Sequence, residues 1–354
     1  MAGVEISLLP FLSFVSLDGR RRCPTWYHRR QHEGREVPHP FRFIAPMPIP
    51  IRPGDGWRDK LRRIEDLGFS SVSVSEHFTR GWVLEATTAM MAAAEATDQL
   101  RVLSLVLAND FRHPVHLHKV AATIDLLSRG RLELGVGTGW LESDYHASGI
   151  PFDAPAVRID RLEESLSILK GLFSPGPFSY EGKHYRVRDL EGLPKPTQRP
   201  HPPILVGGGG RRILRLAARE ADIVGVHCNL RRGELGQHAA DDLSAARVAE
   251  KVAWVREEIE SGDRTRDLPE LQFSIYLCQV VGSSGSGSES VTSFARWLRA
   301  DPDLLSGSPA VLAGSVEQCV ERLQEHREEY GFSYFHLGAD VQAVAPIVAR
   351  LAGT

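Results

Sequence analysis

Three groups of residues in this chain carry types and spacings that could do chemistry. The first is Ser75-Glu76-His77-Phe78, which directly follows a short apolar, β-rich run. An imidazole titrates near neutral pH, so His77 could donate a proton, accept one or stabilise a charged intermediate. It could equally be a helix cap or a satisfied core histidine. The second is Gly135-Val136-Gly137-Thr138-Gly139-Trp140. Glycines at any strand end can serve a tight turn. This stretch also lacks the strand–GxGxxG–helix setting and downstream acid of a dinucleotide fold. The third is Gly207-Gly208-Gly209-Gly210 followed by Arg211 and Arg212. Exposed backbone N–H groups, a helix N-terminus and two guanidinium groups make a phosphate cradle. The plain alternative is a flexible strand-to-helix turn.

Other groupings point away from particular chemistries. His113, His116 and His118 are close in sequence but have no acidic partner to complete a ligand set, so no metal is expected. Neither a GxSxG elbow nor a Walker loop is present. Asp160, Glu163 and Glu164, interleaved with Arg158 and Arg161, read as a salt-bridged solvent face.

The elements that must position these groups alternate regularly. Apolar β-rich runs occur at Phe41–Met47, Ser71–Ser75, Arg101–Ala108, Leu132–Val136, Pro203–Gly207, Ile223–His227, Gln272–Val281 and Tyr334–Leu337. Short, continuously apolar strands suit a parallel sheet buried on both faces. Helix-period stretches lie between them, with Pro114 placed for a first helical turn and Gly130 just past a helix end. Eight βα pairs predict a (β/α)8 TIM barrel, with the active site at the C-terminal ends of its strands. Two excursions break the rhythm: a Pro/Gly-rich stretch at 174–200 with a hairpin signal at Glu181-Gly182-Lys183, and a Gly/Ser run at 282–290. The latter is a solvated loop or a mobile lid bordering the barrel mouth. Residues 1–40 read as a poorly ordered N-terminal extension or an over-long start, and 41–354 as one barrel domain.

Composition narrows the function classes. The chain has 354 residues, 42 Lys+Arg against 45 Asp+Glu, and a formal net charge of −3. That balance gives no reason to expect nucleic acid or an anionic membrane as partner. No apolar run approaches the ~20 residues that span a bilayer. Four widely separated cysteines, Cys23, Cys228, Cys278 and Cys319, fit a reducing cytoplasm.

Several stretches in order carry a family resemblance. They are Asp110-Phe111-Arg112-His113-Pro114, Ala121-Ala122-Thr123-Ile124-Asp125-Leu126-Leu127-Ser128-Arg129-Gly130-Arg131 and the glycine run ending at Trp140. Ser75–Phe78, Pro203–Gly210, Ala218–Asp222, Leu312–Gln318 and Tyr330–Tyr334 agree with them. Together they resemble the luciferase-like monooxygenase superfamily over about residues 41–352, and most of all its branch that uses the deazaflavin coenzyme F420. The resemblance implies a (β/α)8 barrel, usually dimeric, that binds FMN or F420 at its mouth.

It also implies roles for single residues. His77 would lie beside the deazaflavin ring as base or electrostatic partner, with Glu76 as its acidic neighbour. Leu105-Val106 would carry a non-prolyl cis peptide whose bulge backs the ring. Ala108 and Asn109 would end the third strand, with Asn109 pairing with the polar edge of the ring. Gly137, Thr138 and Gly139 would let the backbone approach the ring and the ribityl chain. Ser143, with Tyr145 as a second partner, would bond ribityl hydroxyls or phosphate. Gly207, Gly208, Gly209 and Gly210 would cradle the phosphate, with His227 near it. Trp140 is either a core aromatic or a wall for a flat organic substrate. It stands where F420-dependent sugar-phosphate dehydrogenases carry a glutamate proton donor, which argues against that reaction. The resulting expectation is an F420-dependent oxidoreductase acting on a small organic substrate, cytoplasmic and homodimeric. Its rivals are an FMN-dependent monooxygenase using O2 and a non-catalytic flavin-binding protein.

Overall fold

The computed structural model describes residues 39–354 apart from 50–51, 53, 80–83, 231–236, 263–266, 282–286 and 339. The expected N-terminal extension and the centre of the Gly/Ser run therefore lie almost wholly outside the described residues.

Eight parallel strands close into a barrel. They are β1 (Arg42–Pro46), β2 (Ser71–Val74), β3 (Arg101–Ser104), β4 (Leu132–Gly137), β5 (Ile204–Gly208), β6 (Ile223–Val226), β7 (Glu270–Ser274) and β8 (Phe332–His336). Each pairs with its sequence neighbours, and β8 returns to β1 through Arg42↔Tyr334, Phe43↔Phe335 and Ile44↔His336. Between β3 and β4 the ladder runs through Val102↔Leu132 and Leu103↔Glu133. It resumes at Leu107–Ala108, which pairs with Val136 and Gly137.

The barrel interior is filled by Ile44, Leu103, Leu205, Ile223 and Tyr334, all fully buried. A larger apolar layer joins the outer faces of the strands to the surrounding helices. The N-terminal end is sealed by a buried charge cluster. Arg42 binds both Glu133 and Glu270, Arg101 Nε lies 2.9 Å from Glu133, and Tyr334 donates to Glu133 at 2.6 Å. Burial alone would push the Glu133 carboxyl up, but Arg42 and Arg101 outweigh it and hold the group below its ordinary value. Charge at this end of a barrel serves stability, leaving the opposite end for chemistry.

Some elements differ from the sequence reading. The run Gln272–Val281 is two strands. After β7, Ile275 N bonds His336 O, but Tyr276 N and Leu277 N both turn to Ala310 O. Leu277–Val280 thus leaves the barrel and pairs with Val311–Gly314, a strand the sequence did not announce. The hairpin signal at 181–183 does join two antiparallel strands, Pro177–Glu181 and Arg186–Glu191. Pro114 opens the helix Pro114–Leu127, whose cap is His113, accepting from Val115 N at 3.2 Å. Gly130 beyond it has φ +80°. His118 on the same helix is buried against Phe173, and burial lowers its pKa to about 4. Among the described residues no cluster of His, Cys, Asp and Glu could hold a metal ion, and no helix is long and apolar enough to cross a membrane.

Candidate functional site

A cavity of about 370 Å³ opens at the C-terminal ends of the strands, within the usual range for small-molecule sites. Thirteen of the residues expected at a site line it: Glu76, His77, Leu105, Val106, Ala108, Gly137, Thr138, Gly139, Trp140, Gly207, Gly208, Gly209 and Gly210.

The chain leaving β2 supplies one wall. Ser75 Oγ donates to Leu105 O at 3.0 Å. His77 turns its Nδ1 to Asp144 Oδ2 at 2.7 Å. Asp144 comes from the short helix Glu142–Ser148. Its other oxygen accepts from Thr79 Oγ1 (2.6 Å), Thr79 N (2.9 Å) and Phe78 N (3.1 Å). Burial pushes the Asp144 pKa up, but the hydrogen bonds from Thr79 and His77 outweigh it and hold the carboxyl below its ordinary value. A carboxylate acceptor fixes the proton on Nδ1 and makes Nε2 the acceptor nitrogen of the neutral ring. The indole of Trp140 meets this imidazole edge-on, with ring centres 5.5 Å apart.

Glu76 lines the same cavity, but its carboxylate is engaged by the turn after β3. Consecutive residues of an extended chain project to opposite sides, and Glu76 points toward the turn after β3. There it binds the Arg112 guanidinium, one contact being 3.0 Å, and accepts from Ala108 N at 2.9 Å. These contacts tie Glu76 to that turn. Two further expected residues bond to other side chains. Asn109 is buried and donates to Tyr185 of the hairpin at 3.2 Å, and Ser143 exchanges a hydrogen bond with Thr79 at 3.0 Å. Neither lines the cavity. Tyr145 does, but its hydroxyl is committed to Thr138 O at 3.1 Å and Asp110 at 3.3 Å.

The floor lies between β3, β4 and β5. The Leu105–Val106 peptide is cis. Val106 packs so closely on β4 that a Cβ at Gly137 would sit 2.8 Å from its Cγ2. The loop after β4 is held from beneath by Arg158, which donates to Thr138 O at 3.0 Å and also to Gly139 O. Arg158 is 5 % exposed, with its guanidinium 4.3 Å from the Phe152 ring centre. The expectation of a solvent face fails here because two loop carbonyls need donors. Asp160 and Glu163 do form exposed pairs, with Arg212 and Arg219 respectively, while Glu164 accepts from the hairpin N–H groups of Lys183, His184 and Tyr185.

The far wall is the glycine cradle. Gly210 caps the helix Arg211–Glu220, so its first N–H groups open toward the cavity. A Cβ at Gly209 would lie 2.5 Å from Asn229 N, so the segment after β6 rests directly on the cradle. Arg211 and Arg212 are already matched to acids, Glu257 at 3.5 Å and Asp160. His227 also lines the cavity, and burial, helped by Lys251 and His336, lowers its pKa to about 4. It is a neutral hydrogen-bonding group at pH 7. Cys228 beside it has its thiol pushed up to about 12 by burial, and so is not a nucleophile at neutral pH. The sequence reading missed Asp144, Asn229 and Tyr276, each brought in by tertiary packing alone.

This lining suits a planar ring over Leu105 and Val106 and a phosphate at Gly207–Gly210. The chain matches the family described as luciferase-like monooxygenase over residues 47–286. It is 34 % identical over 195 residues to an FMNH2-dependent dimethylsulfone monooxygenase of Pseudomonas putida, covering 54 % of this chain and 53 % of that one. It is 30 % identical over 217 residues to an F420-dependent glucose-6-phosphate dehydrogenase of Intrasporangium calvum, covering 59 % and 61 %. The matched span is thus little more than half the length of these curated relatives. Among solved structures, an F420-dependent secondary alcohol dehydrogenase in complex with an F420-acetone adduct superposes with TM-score 0.70 at 16 % identity, covering 88 % of this chain and 98 % of that one. Monooxygenase RslO1 of Streptomyces bottropensis does so with TM-score 0.67 at 22 % identity, covering 88 % and 97 %. Those identities speak for a shared fold, whereas the family match spans more than half of the chain: it belongs to the luciferase-like monooxygenase family.

Proposed function

We propose that this protein is an oxidoreductase that binds the deazaflavin F420 and handles a small organic substrate at the His77–Trp140 wall. The observation that carries the reading is the His77–Asp144 pair, an imidazole with a fixed tautomer on the cavity wall. When bound, F420 supplies a hydride donor or acceptor at its C5. His77 Nε2 takes the proton of a substrate hydroxyl as the carbon beside it is oxidised, and returns it in the reverse direction. Asp144 stabilises the imidazolium that forms. Leu105 and Val106 would back the ring, and the N–H groups of Gly209, Gly210 and the first turn of the following helix would receive the phosphate. A protein that only stored a flavin would have no use for the oriented base. We further expect a homodimer working in the cytoplasm.

A second reading, FMN-dependent oxygenation, is favoured by the 34 % identity to an FMNH2-dependent enzyme, and the same cradle and floor suit FMN. Titration of the purified protein with F420, FMN and NADPH separates the two. Micromolar F420 binding without FMN binding supports the proposal, and FMN binding without F420 binding overturns it. His77→Ala should abolish turnover while the protein stays folded; unchanged turnover would remove the assigned role.

A further inference from the structure

Behind the cradle lies a buried ion pair that touches neither ring nor phosphate positions. Lys251, on the helix Ala245–Ser261, has no solvent exposure. Its ammonium has three protons and finds three acceptors: the Asp242 carboxylate, Asp242 O at 3.0 Å and His227 O at 2.9 Å. The Asp242 carboxylate also accepts from Asn229 N at 2.6 Å. Two main-chain groups of the segment after β6, one on each side of Cys228, are therefore tied to one buried pair. That segment contributes His227, Cys228 and Asn229 to the cavity wall and presses on Gly209.

A buried ion pair is a poor device for stability, because well-packed apolar side chains of similar volume often do as well or better. What it does supply is direction. Each hydrogen bond fixes a main-chain atom that apolar packing would leave free to slide. We propose that Lys251 and Asp242 are positioning residues that hold residues 227–229 against the glycine cradle, and so set the affinity for the phosphate end of the cofactor. The binding half of this inference rests on the proposed F420 site; the positioning half does not.

The test uses the full chain. In the apoprotein, Lys251→Met, which frees His227 O and leaves the Asp242 carboxylate without its cation, should speed amide hydrogen exchange across residues 227–229 at least ten-fold, while exchange in β1 and β2 is unchanged. In titrations it should weaken F420 binding at least ten-fold, with kcat at saturating cofactor falling less than three-fold. Asp242→Asn keeps an oxygen acceptor for Asn229 N but takes the counter-ion from Lys251, and should bind F420 more tightly than Asp242→Leu, which should behave like Lys251→Met. If Lys251→Met does not fold, the Asp242 pair carries the comparison. Unchanged exchange at 227–229, or equal F420 affinity in Asp242→Asn and Asp242→Leu, overturns the proposal. If the parent protein itself binds no F420, the cofactor reading fails and the exchange result alone judges the positioning.

Discussion

Asp144→Asn isolates what the carboxylate does for His77. Asp144 makes four hydrogen bonds, three on Oδ1 from Thr79 Oγ1, Thr79 N and Phe78 N, and one on Oδ2 from His77. The amide oxygen of asparagine can keep the first three, so its NH2 must face His77 Nδ1. Nδ1 then becomes the acceptor and the proton moves to Nε2, the wrong tautomer for taking a proton from substrate. Removing a positioned general base costs about 10²–10⁴-fold in rate, or about 2.7–5.4 kcal/mol of barrier at 1.36 kcal/mol per decade. The three retained bonds lose their charge assistance, about 1 kcal/mol each, so stability should fall by about 3 kcal/mol. The sign with pH follows from the lowered Asp144 pKa. Its contribution is present in full above the unfolded carboxyl value and is lost as pH falls through the folded one, so the acid-side loss should shrink in the variant. Long-range nitrogen–proton NMR of the imidazole reads the tautomer directly. F420-coupled turnover reads the rate, and urea unfolding reads the stability. A parent protein with its proton on Nε2, or a folded Asp144→Asn with less than a ten-fold loss of turnover, would refute the reasoning.

Three other outcomes are expected. Gly209→Ala places a Cβ 2.5 Å from Asn229 N and from Cys228 C, so it should cost about 1–3 kcal/mol of stability and weaken cofactor binding, seen by thermal melting and titration. Glu76→Ala leaves the nearly buried Arg112 without its partner and should destabilise by about 3 kcal/mol; Glu76→Gln, which still accepts from Ala108 N, should stay within ten-fold of parental turnover, as a structural residue would. His118, His227 and His336 are held at about 4, and His326 at about 3, chiefly by burial. Unfolding returns them to about 6.5, so the unfolded state binds more protons in this window and stability must fall as pH drops from about 6.5 toward 4; urea midpoints measured across that range should show it, and His326→Phe should make the decline shallower.

The barrel was legible because a strand buried on both faces must be apolar throughout, and such runs stand out against amphipathic helices. The same property misplaced one boundary. No glycine, proline or charged residue marks the point near Tyr276 where the chain abandons β8 and turns to Ala310, so two strands read as one. The lining of the candidate site was legible where it depends on local chain geometry. His77 follows a strand, and the cradle glycines stand between a strand and a helix. It was illegible where it depends on partners. Asp144 lies 67 residues beyond His77 on a seven-residue helix, and its neighbour Glu142 is an equally acidic candidate. Adjacency pointed to Glu76, yet an extended chain sends adjacent side chains apart.

The cradle shows how charge balance and geometry divide the work. The net charge of −3 means that any attraction for a phosphate must be local. Arg211 and Arg212 looked like its source, but each is opposed by an acid, Glu257 and Asp160. Exposed pairs of this kind cancel one another's field at the distance of a bound phosphate and are themselves screened by salt. What remains uncancelled is the set of backbone N–H groups beyond the end of β5, at Gly209, Gly210 and the first turn of the helix that Gly210 caps, whose dipole favours an anion. Such donors hold a phosphate only if their direction is fixed. That is why the wall behind them matters: the segment after β6 touches Gly209 and is itself pinned by Lys251 and Asp242. If the proposed cofactor binds here, the affinity of the site is a property of main-chain geometry, and the charges that govern it are buried out of reach of the ligand.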